Sequence, residues 1–98
     1  MDLTKINEQL QNILEELPKA IKTLNVVEYE YNKRYYYVLA HSPAGSREGR
    51  EADAVLTCET EGLYKPFIDA RVDVRTLTHE KELLIELSRN IRELRGNK

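Results

Sequence analysis

The chain has 98 residues, enough for one small domain that buries about 60–65% of the surface of its unfolded chain. Hydrophobic residues make up 41% of the sequence and charged residues 33%, a composition that excludes both an intrinsically disordered chain and a membrane protein. The net charge of −2 excludes a protein that is held on nucleic acid or anionic lipid by bulk charge alone.

The N-terminal residues and the cysteine content indicate a reducing cytosol. Residues 1–11 contain no continuous apolar stretch of the kind that forms a signal peptide. Cys58 has no second cysteine to pair with, whereas small extracellular domains are usually stapled by disulfides. With one cysteine and two histidines, His41 and His79, we expect no zinc site of three or four N or S ligands unless chains combine. We therefore expect a cytoplasmic protein with no metal, no cofactor and no membrane segment.

The first predicted element is a helix over residues 3–24. Its apolar residues recur at steps of three and four, which defines one face of a helix. They are Leu3, Ile6, Leu10, Ile13, Leu14, Leu17, Ala20, Ile21 and Leu24. Asp2 or Thr4 caps the start, because a side-chain oxygen there accepts from an orphan backbone N–H. Pro18 lacks an N–H, so we expect the helix to kink or break near Leu17.

The period of the apolar pattern then changes to two, which is typical of strands. The pattern predicts four strands, over residues 26–31, 34–41, 52–60 and 64–75. The connections are a turn at Asn32-Lys33, a mobile loop over residues 42–51 that contains two glycines and a proline, and a turn at Glu61-Gly62. The fourth strand shows the clearest alternation of apolar and charged residues, and Pro66 places it at a sheet edge.

The last predicted element is a helix over residues 79–95. Thr78 is a suitable cap, and Glu80 and Glu82 lie in the first turn, where the helix dipole favours carboxylates. Taken in chain order, the elements predict an α+β fold in one domain over residues 1–98. It is a two-layer sandwich of order α-β-β-β-β-α, with a four-stranded antiparallel meander and both helices on one face of the sheet.

The uncovered face of the predicted sheet carries a candidate partner-binding patch. If the registers of both hairpins hold, five apolar and aromatic side chains lie together on it: Tyr35, Tyr37, Leu39, Leu56 and Phe67. Contiguous patches of this kind mark interaction sites. A slip of one residue in the third strand turns Leu56 inward, and in the alternative interpretation the tyrosines only cover the sheet.

Four basic residues form an alternative, phosphate-binding site. Lys33 and Arg34 lie at the first predicted turn, and Arg47 and Arg50 lie in the predicted loop. Arginines in a mobile glycine-containing loop are suited to wrapping a phosphate, with a tyrosine as a stacking ring. Residues 26–62 hold four basic and seven acidic residues, however, which makes this region unfavourable for nucleic acid.

No residue set in the sequence predicts catalysis. Neither histidine has a reason at the level of sequence to lie beside Cys58, and Asp69 and Asp73 on one strand are ~13 Å apart, too far for paired carboxylates. We therefore predict a small protein–protein interaction module that is not an enzyme, an adaptor or inhibitor of the bacterial or phage accessory kind. It acts through the tyrosine-bearing sheet face or by forming a homodimer. The alternative is a binder of a phosphorylated small ligand or nucleic acid.

Overall fold

A computed structural model describes residues 2–96, of which 91% are helical, and these residues contain no strand. The helices are α1 (Leu3–His41), α2 (Arg47–Thr60) and α3 (Tyr64–Gly96). They form a rod whose Cα atoms extend over 70 × 23 × 15 Å, with a radius of gyration of 20.4 Å. A compact domain of this size has a radius of gyration of about 13 Å. The predicted α+β sandwich with a four-stranded meander is therefore wrong.

Both shorter helices run antiparallel to α1. Ser42, just beyond the end of α1, bonds to Asp53 in the first half of α2, and Cys58 near the end of α2 reaches back to Tyr31. Helix α3 starts beside Tyr31, where Phe67 packs on the Tyr31 ring, and its far end lies beside the start of α1. The molecule is thus a helical hairpin whose second arm is broken into α2 and α3.

Helix α1 starts where the sequence predicts and ends 17 residues beyond the predicted end at residue 24. Asp2 caps it through an Oδ1 that accepts from the backbone N–H of Lys5 at 2.9 Å. The three-four apolar spacing continues past residue 24 through Val27, Tyr31 and Val38, all of which are at least partly buried. The apolar pattern over residues 26–31 and 34–41 has a period of two only because tyrosines and valines also lie on the solvent-exposed face of α1. The helix runs through Pro18 with no break.

The predicted mobile loop over residues 42–51 is half helix. Helix α1 stops at His41 because Pro43 disfavours helical geometry at Ser42, whose ψ is 136°. Ser46 then caps α2, its hydroxyl accepting from the backbone N–H of Gly49 at 3.0 Å. A Cβ at Gly49 would lie 3.0 Å from the Ser46 hydroxyl oxygen, so the cap favours glycine there. The connection between the helices is only residues 42–46.

The turn predicted at Glu61-Gly62 is the break between α2 and α3, and the predicted strand over residues 52–60 is helical. Gly62 takes a φ of +76°, which favours glycine. Its N–H donates to the Glu59 carbonyl at 3.1 Å, and the Leu63 N–H donates to the Cys58 carbonyl at 2.8 Å. These two bonds are the Schellman pattern that ends helices.

The predicted strand over residues 64–75 and the predicted helix over residues 79–95 form one helix, α3. The alternating apolar and charged residues over 64–75 wrongly predicted a strand. The side chains that pack towards α1 are Phe67, Ala70 and Val74, which recur at steps of three and four residues, and Val72, which alternation places on the same face, is exposed. Pro66 lies in the first turn of α3, where its missing N–H has no helical partner to lose. Thr78 caps nothing: it lies inside α3 and donates to the Val74 carbonyl at 2.8 Å.

One apolar seam between α1 and the two other helices holds the rod together. Its fully or nearly fully buried residues are Ile6, Ile13, Leu17, Tyr31, Ala54, Cys58, Ala70 and Ser88. Their three-four spacing resembles the a and d positions of a coiled coil, in which side chains of one helix fill the gaps of the other. Over residues 2–96, none of the three helices has a segment apolar enough over sufficient length to cross a membrane.

Helix continuity at Pro18 predicts the effect of Pro18→Ala. Inside a helix, proline removes the bond to the carbonyl four residues earlier and is about 3 kcal/mol less favourable than alanine. We expect Pro18→Ala to raise the free energy of unfolding by about 1–3 kcal/mol in urea denaturation. If a separate helix began at Pro18, proline would be favoured there and the substitution would be neutral or destabilising.

Candidate interaction surface

The two-helix layer leaves both sides of its apolar seam open to solvent. The consequence is largest in the half of the rod farthest from α2, formed by residues 3–24 of α1 and 76–96 of α3, which we call the distal half. Six large apolar side chains are exposed there: Leu14, Ile21, Leu83, Ile85, Leu87 and Leu94. They fall on two sides of the seam, which we call the acidic flank and the basic flank.

The acidic flank contains a groove of about 420 Å³ between α1 and α3. Its apolar floor includes Ile13, Leu77 and Leu84, and its rim includes Glu16 and Glu80. A second groove of about 440 Å³ continues it along the rod and shares Glu16 and Leu77 with it. Together the two grooves are lined by three carboxylates, those of Glu16, Asp73 and Glu80, and one ammonium group, that of Lys19. The charged residues that line the two grooves therefore carry a net charge of −2.

Three leucines of α3 extend this groove towards the end of the rod. Leu83 is 52% exposed, Leu87 is 39% exposed and Leu94 is 69% exposed. Their separations of four and seven residues place them along one side of α3. Exposed leucines in a line beside an apolar groove are the arrangement that binds another helix.

The basic flank lies on the other side of the seam. A groove of about 460 Å³ there is lined by Leu10, Ile85 and Ser88, with Arg89, Arg92 and Glu93 at its edge. Leu14 and Ile21 continue the apolar surface along α1, and both are more than two-fifths exposed. Because each residue turns the helix by about 100°, these two side chains lie across the seam from the α1 residues that line the acidic flank.

Tyr31 is the centre of the joint where all three helices meet. Its ring centroid lies 4.7 Å from that of Phe67, 5.8 Å from that of Tyr35 and 5.9 Å from that of Tyr64. The buried Cys58 thiol lies 3.8 Å from the Tyr31 carbonyl oxygen, to which it donates a weak hydrogen bond. The joint is an aromatic cluster that fixes the break in the second arm against α1.

An ion pair fastens the same joint at the surface. The Arg34 guanidinium donates to both carboxylate oxygens of Glu61, at 2.8 and 2.9 Å. This bidentate bond raises the pKa of Arg34. The same guanidinium lies 5.5 Å from the centroid of the Tyr37 ring. Arg34 therefore anchors the end of α2 to α1.

Cys58 is in a poor environment for a nucleophile. Burial raises the pKa of its thiol, and the Glu61 carboxylate raises it further, against a smaller opposing effect of Arg34. The reactive form of cysteine is the thiolate, which this environment disfavours. In the part of the chain that the structure describes, no three His, Cys, Asp or Glu side chains lie close enough together to hold a metal ion.

The five residues of the predicted sheet patch do not form one surface. Tyr35 and Phe67 both contact Tyr31 in the joint and are half-buried. Tyr37 and Leu56 line a separate groove of about 340 Å³ between α1 and α2. Leu39 lines neither group and lies one turn beyond Tyr35 on α1. Because the pattern is helical, residues predicted to alternate across a sheet are distributed around the rod.

The four residues of the predicted phosphate site lie near opposite ends of α2. Arg34 is paired with Glu61 just beyond the end of α2, and the exposed Lys33 lies beside it on α1. Arg47 starts α2, where its guanidinium donates to Glu51 at 3.0 Å, and Arg50 lies one turn further. The 14 residues of α2 separate the two pairs by about 20 Å. They cannot grip one phosphate together.

Both flanks were missed because the predicted sheet would have covered the wide apolar faces of the two predicted helices, over residues 3–24 and 79–95. The sequence does carry their signal. The apolar pairs at residues 13–14 and 20–21 and the run over residues 83–85 make the stripes on α1 and α3 wider than one two-helix seam can bury. A stripe of that width indicates a helix that contacts more than one neighbour.

Comparison with known proteins finds no match: no protein family, no curated protein and no solved structure is significantly similar to this chain.

The central position of Tyr31 predicts a large effect of its truncation. Tyr31 is 8% exposed and contacts three aromatic rings, so we expect Tyr31→Ala to lower the free energy of unfolding by about 3 kcal/mol. Tyr29→Ala is the matched control, because Tyr29 is on the same helix and 63% exposed. We expect a change of about 0.5 kcal/mol or less for the control. Equal effects in urea denaturation would contradict the aromatic joint.

Burial of the joint also predicts a loss of stability at alkaline pH. Burial raises the pKa of the Cys58 thiol and of the Tyr31 phenol, so the unfolded chain gives up these protons at lower pH than the folded chain. The folded state then holds more protons, and stability falls as the pH rises above the ordinary thiol pKa of 9.0. We expect Cys58→Ala to reduce this slope in urea denaturation series measured from neutral to alkaline pH. An unchanged slope would contradict the assignment.

Proposed function

We propose that this protein is a protein–protein interaction module, an adaptor or an inhibitor, and not an enzyme. It binds the apolar face of an amphipathic helix in the groove of its acidic flank. The observation that carries this proposal is the line of exposed leucines, Leu83, Leu87 and Leu94, beside a groove with an apolar floor. Three exposed leucines on a molecule only two helices thick leave a large apolar area for a partner to cover.

The shape of the groove supports a helix as the bound element. It lies between two antiparallel helices, and the leucine line has the spacing that a third helix fills with its own side chains. A helix that binds in this way presents residues at positions i, i+3, i+4 and i+7. A third helix would complete a seam that α1 and α3 leave half open.

The charge of the flank supports a basic partner helix. Glu16, Asp73 and Glu80 line its grooves, and one lysine opposes them. Charge complementarity at the edge of an interface selects partners and speeds encounter more than it adds affinity. The partner helix therefore carries Lys or Arg beside its apolar face. The proposal retains a cytosolic setting, since the lone Cys58 is buried as a free thiol.

The phosphate-binding alternative has less support. Arg34 and Arg47 each donate to a carboxylate of the chain itself, and the length of α2 separates them. A phosphate would have to compete with both ion pairs.

The proposal is tested with two designed peptides labelled with a fluorophore. Both are amphipathic helices with leucine at three-four spacing, and one carries lysine and the other glutamate at the remaining positions. We expect fluorescence anisotropy to show tighter binding of the leucine–lysine peptide, because the flank is acidic. Leu94→Ala removes an apolar contact without adding charge, and we expect it to weaken that binding about tenfold.

Leu56→Ala is the matched control for this experiment. Leu56 is 61% exposed, close to the exposure of Leu94, but it lies on α2 outside the distal half. We expect it to leave peptide binding unchanged. Equal binding of both peptides, or equal effects of both substitutions, would show that the acidic flank is not the binding surface.

A further inference from the structure

The two flanks of the distal half differ in charge. The grooves of the acidic flank are lined by Glu16, Asp73 and Glu80 against Lys19. The groove of the basic flank is lined by Arg89 and Arg92 against Glu93. The charged residues that line the grooves therefore sum to −2 on the acidic flank and +1 on the basic flank, so the signs are opposite.

The two flanks also match in apolar spacing. On the basic flank, Leu14 and Ile21 are seven residues apart, and on the acidic flank Leu87 and Leu94 are seven residues apart. Both separations are about 10.5 Å along a helix axis. Side chains that repeat at the same distance on two helical surfaces can interleave along their whole contact.

We propose that the partner of the acidic flank is the basic flank of a second copy of this chain. This inference rests on the proposed function and puts a surface of two helices in place of a single basic helix. Helix α1 supplies Leu14 and Ile21, and α3 supplies Ile85, Arg89 and Arg92. Charge complementarity selects this pairing over the two symmetric ones. Two acidic flanks would oppose carboxylates, and two basic flanks would oppose Arg89 and Arg92.

Pairing of unlike flanks determines the form of the assembly. In a dimer made this way, one acidic flank and one basic flank remain free, so further copies add to either side. Such head-to-tail contacts build a ring when the rotation closes and an open row when it does not. The proposal therefore differs from the homodimer predicted from the sequence, because this self-association does not stop at two copies unless a flank is blocked.

The available area indicates a reversible contact. The distal half is about 35 Å long, and two adjacent helices are ~20 Å wide, so a flank offers roughly 700 Å² per copy. Stable specific interfaces bury about 800 Å² per partner. The contact is at the lower end of that range, and assembly depends on protein concentration.

Sedimentation velocity of the full chain over a concentration series tests the inference. We expect wild-type protein to form species larger than a dimer as its concentration rises. Leu87→Lys on the acidic flank and Leu14→Glu on the basic flank each place a like charge against the flank of the next copy, and we expect both variants to be monomeric alone. Leu56→Glu and Leu56→Lys add the same charges at an exposed position of α2 outside the distal half, and we expect both to assemble like wild type.

Mixing the two disrupted variants gives the decisive result. The Leu87→Lys chain retains a basic flank and the Leu14→Glu chain retains an acidic flank, so the mixture forms a one-to-one dimer and nothing larger. This rescue also shows that both variants are folded. Failure of the mixture to pair, while wild type assembles, overturns the inference. A wild-type dimer broken by only one of the substitutions indicates symmetric pairing and overturns it as well.

Two further results separate this inference from the proposed function. Because unlike charges meet at the contact, we expect added salt to weaken self-association, and assembly that strengthens with salt overturns the pairing of unlike flanks. Wild-type protein that stays monomeric at high concentration but still binds the leucine–lysine peptide also overturns it, and the proposed function then stands without self-association.

Discussion

The whole molecule depends on one apolar seam between α1 and the broken second arm. Ile6, Ile13 and Leu17 pack across it in the distal half, and Tyr31 closes it at the joint. A layer of two antiparallel helices has no other interior, and its Cα atoms span only 15 Å in their thinnest direction. Every side chain that does not fit into that seam is left at a flank.

The joint explains how a single seam holds three helices. Helix α2 ends through the Schellman bonds at Gly62, and α3 starts at once beside Tyr31. The aromatic cluster around Tyr31 and the bidentate Arg34–Glu61 pair hold both pieces against the same stretch of α1. The break therefore leaves the second arm packed on α1, and the distal half is built from uninterrupted helix on both sides.

The flanks are open because a single seam cannot bury every apolar side chain of α1 and α3. The proposed function rests on the side chains that this leaves exposed. Globular domains of this length gain most of their stability from a core that is enclosed on all sides. A layer of two helices has only the seam between them. Leucines that would form a second core layer in a four-helix bundle are exposed along α3. The opposite charges of the groove-lining residues on the two flanks are the basis of the proposed pairing of unlike flanks.

The sequence predicts helices well where its apolar residues repeat only at steps of three and four. It predicts them poorly where the same residues also repeat every second position. The Asp2 cap, the stripe over residues 3–24 and the turn at Glu61-Gly62 are confirmed, because caps, spacing and glycine act locally. The four strands are wrong because tyrosine and valine favour strands in isolation, while their three-four spacing joins the helical seam. Ala70 and Val74 fit both periods, and only the distant contact with α1 decides between them. The flank residues lie in segments that were predicted as helical, but the predicted sheet would have buried them, because an exposed leucine is recognisable only when the depth of the core is known.

Small-angle X-ray scattering at concentrations low enough to keep the chain monomeric tests the extended hairpin most directly. The structure predicts a radius of gyration close to 20.4 Å and a longest dimension near 70 Å. A radius of gyration near the ~13 Å of a compact domain would contradict it, because α1 and α3 would then have to fold back on themselves and cover the flanks.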